Sequence, residues 1–162
     1  MIGERSLRRL AQAGAIRRSG PRTLRPGERR YIRTHGAVLA AIRSALRTEP
    51  SLRTVVLFGS VARGTDRPDS DIDLAVAPSP SSEVAERVSA KIRAATGRDV
   101  DLVDWHAARL SADLAPRLLR DGRPLRDADR DWMSLQAERR NVLRRGRRRQ
   151  AAWENLERRV LG

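Results

Sequence analysis

Thr54-Val55-Val56-Leu57-Phe58 is the feature that most limits what this chain can become: five β-favouring residues in a row, with nothing polar after the first. Successive side chains of a strand face opposite sides of the sheet, so a half-exposed strand alternates apolar with polar. A run that is apolar on both sides needs structure packed on each face, which predicts a covered strand in a layered α/β arrangement. Ile72-Asp73-Leu74-Ala75-Val76 reads as a second strand with an acid at its middle, Val100-Asp101-Leu102-Val103 as a third, and Pro124-Leu125-Arg126 as a short last one. Helical spacing separates them. Tyr31, Val38, Leu39, Ile42 and Leu46 predict a helix over 28–48; Ser82 followed by Glu83 and Glu86 starts one that Gly97 ends; another spans 111–120. The expectation is a small α/β domain over residues 50–127 with helical, basic extensions.

Those extensions differ in character from the middle. Glu4 to Ala13 predicts a short amphipathic helix that Gly14 ends, and Ala15–Arg18 and Thr23–Arg25 are strand candidates around the Ser19-Gly20-Pro21 turn. Helix, strand, basic turn, strand resembles the back half of a winged-helix DNA-binding module, without its leading helices. The chain therefore divides into a partial winged-helix-like segment (1–27), a connecting helix (28–49), the α/β domain (50–127) and a basic helical tail (128–162). Trp132, Leu135, Val142, Trp153, Leu156 and Val160 supply the tail's apolar positions, and the run Arg144–Arg149 interrupts it.

Net charge is +9 over residues 1–50, zero over 51–100 and +5 over 101–162, for +14 in all. Two basic ends around a neutral middle point to a polyanion, either nucleic acid (DNA or RNA) or an acidic partner. Lys91 is the single lysine against 33 arginines, a compositional bias too lopsided to give each arginine a task. The absence of cysteine excludes disulfides, thiolate metal sites and cysteine nucleophiles. Ala37–Ile42 is the longest apolar run at six residues, against the ~20 a membrane span needs. No apolar segment follows the charged start, so no secretory signal is expected and the cytoplasm is the default location.

Chemistry concentrates in Leu57-Phe58-Gly59-Ser60-Val61-Ala62-Arg63-Gly64 and Ser70-Asp71-Ile72-Asp73-Leu74. Gly59 and Ser60 stand where the buried strand turns into a short helix. Glycine lets a phosphate approach the backbone, and free N–H groups at a helix start favour anions. Asp71 and Asp73, one residue apart on a strand, share a face. Two like charges there repel unless a cation bridges them, and Mg²⁺ takes such oxygen ligands while keeping substrate phosphates in its shell. Asp101, between Val100 and Leu102, faces away from the core beside that pair, with Asp99 as a rival and Asp104 as a loop or cap residue. Arg63 is either a phosphate clamp or half of a structural ion pair with a nearby Asp. His35 and His106 lack a second ligand at metal spacing and read as surface or capping residues. Tyr31 reads as core-edge packing or a modification acceptor, and the tryptophans as packing residues.

Gly59-Ser60, ten residues, then Asp71-Ile72-Asp73, with Val100-Asp101-Leu102-Val103 downstream, closely resembles the minimal nucleotidyltransferase branch of the DNA polymerase beta-like nucleotidyltransferase superfamily. The resemblance implies a short mixed sheet with flanking helices, the nucleotidyltransferase fold. It implies transfer of a nucleoside monophosphate, most often AMP, from an NTP such as ATP to an acceptor. Gly59, Ser60 and Arg63 would hold the triphosphate; Asp71, Asp73 and Asp101 would be the catalytic carboxylates and bind two Mg²⁺ ions. Small members of the family act as toxin–antitoxin components. The short tail after Asp127 argues against a drug-modifying enzyme and for a macromolecular acceptor, protein or RNA. The alternative is a DNA-binding regulator whose transferase domain is inactive or senses nucleotide.

Overall fold

The computed structural model describes residues 2–161. β1 (Thr54–Phe58) is buried at every position and runs inside a four-stranded sheet, between β2 (Ile72–Ala77) and β4 (Arg123–Asp127). β3 (Val100–Asp104) lies beyond β2, giving the order β3-β2-β1-β4. β1 pairs antiparallel with β2 and β4, whereas β2 and β3 run parallel, so the sheet is mixed. β4 is an edge strand, which accommodates Pro124 and its missing N–H; a bulge at Val55/Val56 adjusts the register beside it.

Both faces are covered, as the unbroken apolar run requires. Val55, Leu57, Ile72, Leu74 and Val76 enter one core. They meet Leu10 of α1 (Glu4–Ala13), Leu39, Ile42 and Leu46 of α2 (Glu28–Arg47), and Val88 and Ile92 of α4 (Ser82–Thr96). Val56, Phe58, Ala75 and Ala77 point the other way. Their core takes Trp105 of α5 (Trp105–Leu110), Leu118 of α6 (Leu114–Asp121), Leu135 of α7 (Asp131–Ala137) and Val142 of α8 (Arg139–Leu161). The remaining helix, α3 (Gly59–Arg63), leaves directly from the end of β1.

The segment before α2 forms one isolated bridge, Arg18 to Leu24, where two strands were expected. Leu10, Ala15 and Ile16 instead enter the first core, where apolar burial outweighs ladder pairing. Arg123 ties this segment down. Its guanidinium donates to both Glu28 carboxylate oxygens at 2.6 and 3.2 Å, to the Ala62 carbonyl at 2.8 Å and to the Ala15 carbonyl at 2.9 Å. Its Cζ also lies 3.4 Å from the Tyr31 ring centroid. Tyr31 is buried among these groups, and desolvation pushes its hydroxyl up to about 12, which accords with packing.

Two expectations need correction. The helix read over 111–120 starts three residues later, at Leu114, because the chain extends at Ser111, whose hydroxyl accepts from the Leu114 N–H at 3.1 Å, and a separate helix not read from the sequence, α5, precedes it. The Arg144–Arg149 run does not interrupt the tail: α8 is continuous through it. Arginine is a good helix former, and Gly146 is accommodated because a Cβ there would come within 2.9 Å of Pro116 on α6. Among the described residues, no helix is long and apolar enough to cross a membrane.

Candidate active site

Register places the acids. Phe58 at the end of β1 stands opposite Asp73, and Asp73 stands opposite Asp101 across the parallel pair. Ile72 and Leu74 are held in the first core, so the side chain between them emerges on the opposite face, as Asp101 does between Val100 and Leu102. Gly59 begins α3 beside them with φ +75°, and a Cβ at this position would land on the Asp73 carboxylate. Glycine is therefore required twice over, by the backbone angle and by the approach of Asp73.

These residues line one open cleft of about 820 Å³. Phe58, Gly59, Ser60, Arg63, Asp73 and Asp101 line it together with Arg117 and Arg120 of α6. Asp73 is half-buried, and its pKa is raised, first by desolvation and then by the charges of Asp101 and Asp71. Arg63 and Arg117 pull it down without cancelling the rise. Asp71 is exposed and precedes the first residue of β2, so it is not on the strand as expected; it does not line the cleft but lies near enough to act on Asp73.

Arg63 donates to Asp121 Oδ2 at 2.7 Å, the structural ion pair, and lines the cleft as well. Asp99 lies outside β3 and pairs with Arg93 at 2.8 Å, which separates it from the position Asp101 holds. Asp104 accepts from the Ala107 N–H at 2.9 Å and caps α5. His35 is not a surface or capping residue: it stacks on Tyr31 with centroids 4.6 Å apart and its Nε2 lies 2.7 Å from Asp66, which Arg98 also engages at 2.8 Å. Burial alone would raise the Asp66 pKa, but hydrogen bonds from His35 and Arg98 bring it below the usual carboxylate value.

Among the described residues no three His, Asp or Glu side chains stand ready-converged on one metal position. The donor chemistry nevertheless suits a hard divalent cation: carboxylates, two of them register partners, with the charged form of Asp73 disfavoured by burial and by its acidic neighbours. Arg117 and Arg120 were not singled out from the sequence. The signal was present, since Ala115, Leu118 and Leu119 bury one side of α6 and leave these two, three residues apart, on the other. It is hard to notice in a chain with 33 arginines.

A sheet of this order with register-paired acids beside a Gly-Ser turn defines a nucleotidyl-transferring class of protein. The chain belongs to the polymerase beta nucleotidyltransferase family, whose model matches residues 40–131, and it is a nucleotidyltransferase. Its relatives include the protein adenylyltransferase MntA of Shewanella oneidensis, 32% identical over an alignment of 107 residues, with 58% of this chain and 76% of the relative covered. Among solved structures it resembles a chain of a toxin–antitoxin complex with AMP-PNP, at TM-score 0.55 and 28% identity, covering 76% of this chain and 98% of the other. It also resembles a chain of a mutant MntA–HpeT toxin–antitoxin complex, at TM-score 0.54 and 28% identity, covering 75% and 95%.

Proposed function

We propose that this protein transfers AMP from ATP to a hydroxyl on a protein acceptor, as the modifying member of a toxin–antitoxin pair. The observation that carries the reading is the side-by-side placement of Asp73 and Asp101 with Gly59 and Ser60 in a cleft that three arginines also line. The similarity to a protein adenylyltransferase and to a complex holding AMP-PNP supports adenosine as the nucleoside and protein as the acceptor.

The residues divide the work as follows. Ser60 and the backbone of α3 receive the triphosphate, which Gly59 lets approach closely. Arg63, Arg117 and Arg120 face its negative charge, with Arg63 held in place by Asp121. Asp73 and Asp101, with Asp71 beside them, would hold Mg²⁺, which supplies charge neutralisation at the attacking and leaving oxygens. Asp101, the more exposed of the register pair, is placed to accept the acceptor's hydroxyl proton. The acceptor oxygen forms a bond to the α-phosphorus as the bond to the β-phosphate oxygen breaks, releasing pyrophosphate.

Incubating the protein with host lysate, Mg²⁺ and each α-labelled NTP tests this reading. The expected result is protease-sensitive label from ATP alone, absent with Asp73→Asn or Asp101→Asn. Equal labelling by those variants, or label lost to RNase and not to protease, would overturn it.

A further inference from the structure

α8 outruns the body it packs on. Val142 is buried and Leu143 and Gly146 are half-buried, but every residue from 147 to 161 is exposed. Gly146 lies against α6, where a Cβ would come within 2.9 Å of Pro116. A helical segment of this length is marginal in water without tertiary contacts, so the overhang gains from a surface to lie against.

Its composition says what kind of surface. Trp153, Leu156 and Val160 follow at three- and four-residue spacing and continue the stripe that begins with Val142 and Gly146. Their exposures are 58%, 50% and 71%, large for apolar side chains sharing one face. The Trp153 indole N–H donates to Glu157 at 2.8 Å, so its polar end is satisfied within the helix. Around the stripe, α8 carries nine arginines against two glutamates. Between its inner face and α6 runs a groove of about 680 Å³ reaching from Trp153, Arg147 and Arg149 to Arg117 and Arg120. Those last two also line the active-site cleft, so groove and cleft adjoin at these side chains.

We propose that the overhanging face of α8 and the groove behind it are the docking surface for the protein acceptor, which meets them with an apolar ridge set in an acidic surface. The inference rests on the reading of the cleft as a protein-modifying site. Charge decides among occupants: a second copy would set basic against basic, and an acidic protein would not. The stripe decides against a polynucleotide, which has use for the arginines and for Trp153 but none for Leu156 and Val160. The two arginines shared with the cleft set the docked acceptor beside the site of transfer.

The test uses the full chain with a photo-crosslinking amino acid at position 156, irradiated in host lysate, beside α-labelled ATP transfer and ATP binding measured by equilibrium dialysis. Two further variants are compared with wild type, Trp153→Gln/Leu156→Gln/Val160→Gln and Arg147→Glu/Arg149→Glu. Docking predicts an adduct to the same protein that carries the AMP label. It also predicts a fall of at least about tenfold in labelling by both variants, with ATP affinity within about twofold of wild type. Undiminished labelling by the stripe variant overturns the docking surface and leaves the transferase reading standing. An adduct to RNA, to a second copy of the chain, or to nothing also overturns it. If wild type transfers no label but still forms an adduct with one acidic protein that the charge-reversed form loses, the transferase reading fails and the surface stands.

Discussion

Two charged clusters lie on opposite sides of α3 and handle charge in opposite ways. Behind it, Arg123 and Glu28 are almost wholly buried, each guanidinium nitrogen donates at least one hydrogen bond, and the Arg17 N–H adds a further bond to Glu28 at 2.9 Å. In front of it, Asp73 faces Asp101 with Asp71 nearby, and the flanking arginines do not offset burial and like charge together. The satisfied cluster holds segments distant in sequence together. The unsatisfied one stores an electrostatic cost that a cation can relieve, which is the arrangement expected of a site that must bind charge.

Breaking the satisfied cluster should have the largest effect. Glu28→Ala leaves a buried guanidinium without its carboxylate and should cost about 3–5 kcal/mol, read as a fall in denaturation midpoint with unchanged m. Replacing both partners by Met should recover only part of this, because the Ala15 and Ala62 carbonyls also lose their donor.

The unsatisfied cluster should respond in the opposite sense. Asp73 has a raised pKa, so its contribution to stability is present when protonated and is lost as pH rises through the folded value. At neutral pH Asp73→Asn should therefore raise Tm while lowering AMP transfer about 10³-fold, roughly 4 kcal/mol. Added Mg²⁺ should raise Tm in wild type and not in the variant. A lower Tm for Asp73→Asn in the absence of Mg²⁺ would end the contrast between the clusters.

Arg117→Gln probes the cationic part of the cleft's lining. It should raise the KM for ATP about tenfold, near 1.4 kcal/mol, with little change in Tm because the side chain is exposed. The smallest effect is expected beside α2. Asp66 has a lowered pKa, so its contribution is present above the unfolded value and lost as pH falls through the folded one. Asp66→Asn should accordingly lose less stability than wild type on acidification from pH 6 to pH 3, measured by urea titration at each pH.

The four strands of the sheet, helices α1, α2 and α4, and the placing of Gly59, Ser60, Asp73 and Asp101 at strand ends or within strands were legible in the sequence because each rests on local periodicity. A β-rich run ended by glycine, and an acid between two core residues, announce themselves within a few positions. The two strands sought in the N-terminal segment were not, since Leu10, Ala15 and Ile16 are drawn into a core assembled by residues far along the chain. The ion pair between Arg63 and Asp121 spans 58 residues, and that between Arg123 and Glu28 spans 95. Nothing local selects those partners from among 33 arginines. The same holds for Arg117 and Arg120, which reach the cleft only because α6 packs Leu118 and Leu119 beneath the sheet. Sequence alone determined which residues could carry the chemistry, because side-chain alternation and turn preferences act over a few residues. Tertiary structure decided which charges are neutralised and which are left facing the cleft, because that depends on packing between segments whose separation no local pattern encodes.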